Sequence, residues 1–414
     1  MKIFQESGFN SDFDNFIESL EELYKLSSSF IFKNIDILNQ FNTVKILLGH
    51  GLSDDIQIDV YIKAKCLKII SNLCDSEEFS KFFLSLEIIP TIGQFLIHSE
   101  PKVIVNLLRI LINIVSTNPL RFSQLILDQL TLEPIIIVLS VHYTNPKIYK
   151  HITQLLYLLS FADTSNFFPD FFKAIVFSLS KISNQVDNYW IFWIVPSLIR
   201  STSMAHALIA SSIFVNFLTE ALHTKNNELI EPILKIISSI YYYTDHFIEN
   251  FDYDSLIQLL LDPDESIVML TADAISNIMT SEAMTDFMIQ REVMKPLVLR
   301  YDDGTFDMRY NIEEAIGNAT QTASIDSLIQ ILHEGALGIM IKALDIEDDE
   351  IRKKALTAIK ILLSIEGFDD FIATEFNEFY SLDTFNEICA MENQEIAEFA
   401  EELATTYPQY FGTQ

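Results

Sequence analysis

Phe251-Asp-Tyr-Asp-Ser-Leu-Ile-Gln-Leu-Leu-Leu261, then Asp262-Pro-Asp-Glu-Ser266, then a run closing on Ile275-Ser-Asn-Ile278 reads as a short helix, a turn and a long helix. Pro263 supplies the turn, and Asp264 or Ser266 caps the long helix by accepting from its unpaired first N–H groups. A second copy of this shape runs through Glu334–Leu344, Asp345–Glu350 and Ile351–Leu363. Acidic residues before or within the first turn of the long helix suit its positive end. Further back, Val60–Leu73 sets Ala64, Leu67, Ile70 and Leu73 at three-residue steps, with Cys66 and Ile69 widening the stripe, as a buried amphipathic helix requires. Val103–Val115, Ser266–Met279, Phe306–Ala319 and Glu350–Leu363 repeat that pattern.

The long helices share an ending: Ile70-Ser-Asn-Leu73, Leu111-Ile-Asn-Ile114, Ile275-Ser-Asn-Ile278 and Ile316-Gly-Asn-Ala319. Asn72 and Asn113 are 41 positions apart, and so are Asn277 and Asn318. That spacing is the period of stacked helical repeats about 40–47 residues long. One such repeat cannot bury its apolar faces alone, so the units are expected to stack into one solenoid. The expected organisation is a helical cap over residues 1–50, acidic at Ser11–Glu22 and helical over Phe30–Leu48, continuous with a solenoid over 51–414. The helix Gln394–Tyr407, with Glu395, Glu398, Glu401 and Glu402, closes the other end. In the middle, Phe161–Phe172 interrupts the helices, and Ala205–Thr219 and Glu228–Tyr243 are helical again.

Composition limits the function. The 414 residues carry 27 Lys plus Arg against 58 Asp plus Glu, a formal charge of −31, the wrong sign for direct nucleic-acid binding. With 49% hydrophobic residues and only 10 Gly and 11 Pro, the chain is expected to fold along nearly its whole length. Cys66, Cys74 and Cys389 are too few and too scattered for a disulfide framework or a local zinc motif, and read as reduced, mostly buried thiols. The first residues lack the basic flank and apolar core of a signal peptide, and Asp12 and Asp14 argue against a mitochondrial transit segment. Leu130–Val141 and Asn188–Ile199 are the most apolar stretches; both are short and contain Pro, so no membrane span is expected.

No chemistry-bearing motif appears. Gly49-His-Gly51 and Gly335-Ala-Leu-Gly338 lack the strand context and the Lys-Ser/Thr continuation of a phosphate loop. The eight histidines are dispersed, and His206 or His333 alone does not make a metal site. Asp345–Glu350 lacks the twelve-residue calcium pattern with its central Gly. Paired carboxylates identify nothing in so acidic a chain. Neither an enzyme, a cofactor nor a metal is expected. Arg352-Lys353-Lys354 is expected to keep its helix soluble and to pair with Glu350 and nearby acids.

From about residue 50 to 410, and best from Leu261 onward, the units resemble armadillo repeats, and among those the importin-alpha nuclear-import adaptors. Ser276-Asn277-Ile278 and Gly317-Asn318-Ala319-Thr320 look like ends of that family's third helices. Glu334-Gly-Ala-Leu337 looks like the start of the next unit, and Thr384–Asn393 with Ile396–Tyr407 like its terminal unit. The resemblance implies an all-α, right-handed superhelical armadillo-repeat solenoid, present in cytoplasm and nucleus. In that family an Asn ladder clamps the backbone of a basic localisation peptide, Trp side chains one turn earlier hold its Lys and Arg stems, and nearby acids pair with their heads. An Asn amide suits this, because it both donates and accepts.

Carried onto this chain, the ladder is Asn72, Asn113, Asn277 and Asn318, with Ser160, Ile194 and Ser239 at the weaker middle positions. Four residues earlier stand Lys68, Arg109, Leu156, Trp190, Lys235, Asp273 and Glu314, of which one is Trp. Lys68 and Arg109 would repel a basic peptide at the place resembling the family's major site. Asp273 and Glu314 share helical faces with Asn277 and Asn318 and would attract one at the place resembling its minor site. Trp190 and Trp193, among Ile191, Phe192 and Ile194, read as core. The family's basic amino-terminal segment for importin-beta is not evident, since residues 1–50 hold only scattered Lys2, Lys25, Lys33 and Lys45. The expected partner is an extended basic peptide or another protein, with a nuclear transport receptor also in view. The alternative is a generic armadillo scaffold, or a transport regulator, that binds no basic cargo peptide.

Overall fold

The computed structural model describes residues 13–27, 37–55, 58–181, 189–224 and 226–411. Among them every regular element is helical. The chain divides into two compact units at Leu198–Ile199.

In the first unit α1 (Phe13–Ser27) and α2 (Ile37–Gly51) precede the long helix α3 (Val60–Leu73). Residues 28–36 and 1–12, with the start of the helix expected at Phe30 and with Lys2 and Lys33, lie outside the described residues. Two three-helix repeats follow. The first is α4 (Glu77–Ser85), α5 (Ile89–His98) and α6 (Pro101–Thr117); the second is α7 (Pro119–Gln129), α8 (Glu133–His142) and α9 (Pro146–Leu159). Then α10 (Phe168–Lys181) begins inside the stretch expected to interrupt the helices, and α11 (Tyr189–Leu198) ends the unit. Asn188, expected in the α11 stretch, lies outside the described residues.

The second unit runs through α12 (Thr202–Ile209), α13 (Ser212–Leu222) and α14 (Asn227–Tyr243). One helix was expected over Ala205–Thr219, but the chain turns at Ala210–Ser211, where Ser211 caps α13 through its side chain. Next come α15 (Tyr253–Gln258), which tightens into a 3-10 turn at Leu259–Leu261, and α16 (Glu265–Ile278). Three repeats complete the unit. They are α17 (Glu282–Ile289), α18 (Met294–Tyr301) and α19 (Phe306–Thr322); α20 (Ile325–His333), α21 (Ala336–Ala343) and α22 (Asp349–Leu363); and α23 (Asp369–Phe379), α24 (Leu382–Cys389) and α25 (Gln394–Thr406), followed by the short α26 (Pro408–Phe411).

The third helix of each repeat stacks on the third helix of its neighbour. In the first unit α3 packs on α6, α6 on α9 and α9 on α11; in the second α14 packs on α16, α16 on α19, α19 on α22 and α22 on α25. Each begins with a polar cap where the turn supplies one: Asp59, Asn145, Asn226, Asp264 and Asp348 all accept from N–H groups of the following turn. The buried stripe follows the predicted period, except that Ala64 of α3, expected within it, is only half-buried and lines an open cavity. Leu67 and Ile70 in α3, Leu107 and Leu111 in α6, Ile275 in α16, Ile316 in α19 and Leu356 in α22 are fully buried. Cys66 and Cys74 are buried too, and burial pushes the Cys66 thiol up to about 12. Among the described residues no single helix is long and apolar enough to cross a membrane.

Candidate functional site

The Asn ladder joins repeat to repeat. Asn113 Nδ2 in α6 donates to Ser71 O at 2.7 Å and to its Oγ at 3.3 Å, one repeat back in α3. Asn318 in α19 does the same to Ser276 in α16, at 3.1 and 2.9 Å. Asn277 donates to Ser238 Oγ in α14 at 3.0 Å, and Asn72 to Ser27 Oγ at the end of α1 at 3.1 Å. In Ser71-Asn72 and Ser276-Asn277, therefore, the Ser receives from the following repeat while the Asn reaches back to the preceding one. A second row two turns earlier copies the device, with Asn106 donating to Ala64 O and Asn311 to Met269 O.

In the middle, Ser197 makes the rung to Ser160 at 2.7 Å. The expected position, Ile194, is fully buried in the core of α11. The register there is set by the apolar face of a short helix, which the Asn spacing does not reach. Trp190 is half-buried and lies against the Tyr157 ring of α9, 5.3 Å between centroids. Ser239 bonds its own helix at Lys235 O.

The acids expected to meet a basic peptide also have partners within the fold. Asp273 Oδ2 accepts from Ser238 Oγ at 2.7 Å, so Asn277, Ser238 and Asp273 form one chain of hydrogen bonds. Glu314 forms an ion pair with Lys354 of the next repeat, each side chain 23% exposed. The same ammonium donates to Asn318 Oδ1 at 3.0 Å. Gly317 makes the approach possible: a Cβ there would stand 2.6 Å from the Lys354 Cγ and Cδ. Lys353, next in sequence, reaches the other way to Glu395 of α25. The basic patch thus pairs with acids of both neighbouring repeats rather than with Glu350.

In the first unit the corresponding surface is positive. Lys65, Lys68, Lys102, Arg109 and Lys147 line one open cavity of about 510 Å³, with Ala64, Val105 and Tyr61 supplying apolar wall. Lys68 and Arg109 thus line one and the same cavity. Lys65 bridges to Glu21 of α1 at 2.6 Å, and Lys65 and Lys68 both lie over the Tyr24 ring, at 4.2 and 4.6 Å from its centroid. Among the described residues no carboxylate pairs with Lys68, Lys102, Arg109 or Lys147. The hydrogen bond from Lys68 holds the Tyr24 phenol below its ordinary value, with the charges of Lys68, Lys65 and Arg109 acting in the same sense. Burial lowers His151, and Arg109, Lys150 and Lys147 depress it further. Basic side chains of this surface contribute to both shifts, although for His151 burial is the larger cause.

Among the described residues no three His, Cys, Asp or Glu side chains gather closely enough to hold a metal ion. No protein-family model matches the chain, and no curated protein matches it in sequence. Solved structures do match. An engineered protein aligns at a TM-score of 0.79 and 14% identity, over 100% of this chain and 98% of its own. A computationally designed armadillo repeat protein for modular peptide recognition aligns at a TM-score of 0.50 and 20% identity, over 56% of this chain and 97% of its own. The fold is an armadillo-repeat solenoid. At such identities the likeness is one of fold, shared with armadillo repeats at large rather than with importin-alpha in particular. The sequence had not singled out the serines that receive each rung, nor Lys354 as the partner of Glu314. The visible signal for the first was the Ser preceding Asn at both Ser71-Asn72 and Ser276-Asn277.

Proposed function

We propose that this protein is a non-catalytic armadillo scaffold that holds an extended segment of a protein partner along its third helices. The observation that carries this reading is the internal use of the ladder. Asn113 and Asn318 spend amide donors on the neighbouring repeat, and Glu314 is already neutralised by Lys354. A basic localisation peptide would have to displace that lysine at the one end of the chain and face Lys68 and Arg109 at the other. The import-adaptor reading, with Asn72, Asn113, Asp273, Asn277, Glu314 and Asn318 as peptide ligands, therefore ranks second, and partnership with a nuclear transport receptor stays compatible with either.

Two measurements on the intact chain separate the readings. Selection from a random dodecapeptide display library should enrich peptides whose binding protects third-helix amides from hydrogen exchange; no enrichment, or protection confined to first and second helices, overturns the scaffold reading. Anisotropy titration with a labelled Lys/Arg-rich localisation peptide should show only salt-fragile binding, equal to that of its scrambled form. Sequence-dependent micromolar binding that survives near-physiological salt would restore the import-adaptor reading.

A further inference from the structure

The long helices of the second unit obey their dipoles. Glu228, Glu265, Asp307, Asp349 with Glu350, and Glu395 stand in the first turns of α14, α16, α19, α22 and α25, where the helix end is positive. In α6 and α9 the first turn holds no acid, and Lys102 and Lys147 stand there instead. A cation at a helix amino terminus is destabilising, because it meets the positive end of the dipole. In a chain with twice as many acids as bases, two such placements open onto the same cavity. Lys68 and Arg109 stand in that cavity as well, one per repeat. Two positive helix ends, four cations that pair with no carboxylate among the described residues and an apolar wall converge on one place, with Glu100 at the N-cap of α6 the acid nearest in sequence.

We propose that the groove ringed by Lys68, Lys102, Arg109 and Lys147 binds an extended acidic peptide segment of a protein partner. The proposal rests on the scaffold reading and narrows it to one site and one sign of charge. Carboxylates on alternate residues would meet the cations of α3, α6 and α9, and small apolar side chains between them would lie on Ala64 and Val105. Tyr61, which also lines the cavity, is half exposed and already donates to a carboxylate, that of Glu21. A long polyanion is disfavoured because the remainder of the molecule, at −31 overall, repels it over many residues, whereas a peptide confined to the groove meets only the local positive field.

The test uses the full chain and three fluorescein-labelled probes: a decapeptide of alternating Glu and Ala, its Lys and Ala counterpart, and a ten-nucleotide single-stranded RNA. The Glu peptide should bind in 50 mM salt and weaken as salt is raised, and the Lys peptide should not compete. K102E/K147E, at two exposed positions, should lose at least tenfold in Glu-peptide affinity while melting at the same or a higher temperature, since each change sets an acid at a positive helix end. K68E/R109E should lose a similar factor. The proposal is overturned if the Glu peptide does not bind, if K102E/K147E binds it as the parent does, or if the RNA binds more tightly than the peptide and is lost in the same variants. Display-selected peptides that protect third helices but carry no acids would sink the acidic groove and leave the scaffold standing; failure of both experiments removes the scaffold as well.

Discussion

Glu313 is 2% exposed on α19; its Oε1 accepts from the Tyr301 hydroxyl while Oε2 has no hydrogen-bond partner. Burial pushes its carboxyl up to about 7, against an ordinary 4.5, with the Tyr301 hydrogen bond and Arg309 opposing. Between those two values the folded chain keeps a proton that the unfolded chain has released, so stability falls as pH rises from 4.5 through about 7 and is level above. The span corresponds to about 3 kcal/mol. The E313Q variant should therefore melt above the parent at pH 8, with the gap shrinking at pH 5.5; a gap that does not change with pH would place the effect in packing instead. The sequence shows Glu313 beside Glu314 and gives no sign that one faces the core and the other pairs with Lys354 of the next repeat. The difference comes from the 100° step between adjacent helical positions, which the apolar stripe of α19 resolves only once Met308, Ile312 and Ile316 are seen buried together.

Between α16 and α19 the rung of Asn318 on Ser276 is joined by Lys354 from α22, so that one side chain ties three helices. Removing the amide in N318A forfeits hydrogen bonds with a net value of about 0.5–1.5 kcal/mol each. Ala returns roughly 0.6 kcal/mol of helix propensity. The expected net loss over the three bonds is about 1–4 kcal/mol, read as a lower denaturant midpoint with an unchanged slope. Stability equal to the parent's would reduce the rung to a surface contact. At this scale the sequence was most legible, because repeats copy one another: the 41-residue Asn spacing, the Asp264 cap and the five long helices stand where the pattern placed them. What it concealed were partners. The Ser before Asn at Ser71-Asn72 and Ser276-Asn277 marks a repeated position but not which donor it receives, and the Lys354 contact depends on Gly317 leaving room, a condition of three dimensions. The break at Ala210–Ser211 was hidden by continuous apolar periodicity on both sides of the turn.

Charge at the scale of the whole chain hides the local sign. The excess of acids, −31 in total, argues against an anionic partner until Lys68, Lys102, Arg109 and Lys147, scattered over 80 positions, are brought to one cavity by the repeat period. The same contrast gives salt two opposite effects. Ion pairs such as Lys360 with Glu402 and Lys342 with Asp302 are largely exposed on their acidic side, and pairs of that kind contribute about 0–1 kcal/mol each. Repulsion among the surplus acids acts over longer distances and is screened as the Debye length shrinks from about 30 Å at 0.01 M to about 10 Å at 0.1 M. Long-range repulsion should outweigh these short pairs, so at pH 8 the melting temperature should rise as sodium chloride goes from 0.01 to 0.1 M. Over the same range the affinity for a Glu-rich peptide should fall, because the attraction in the groove is screened along with the repulsion outside it. A melting temperature that falls with salt would mean that the Lys and Glu links between repeats, not the surplus charge, govern stability.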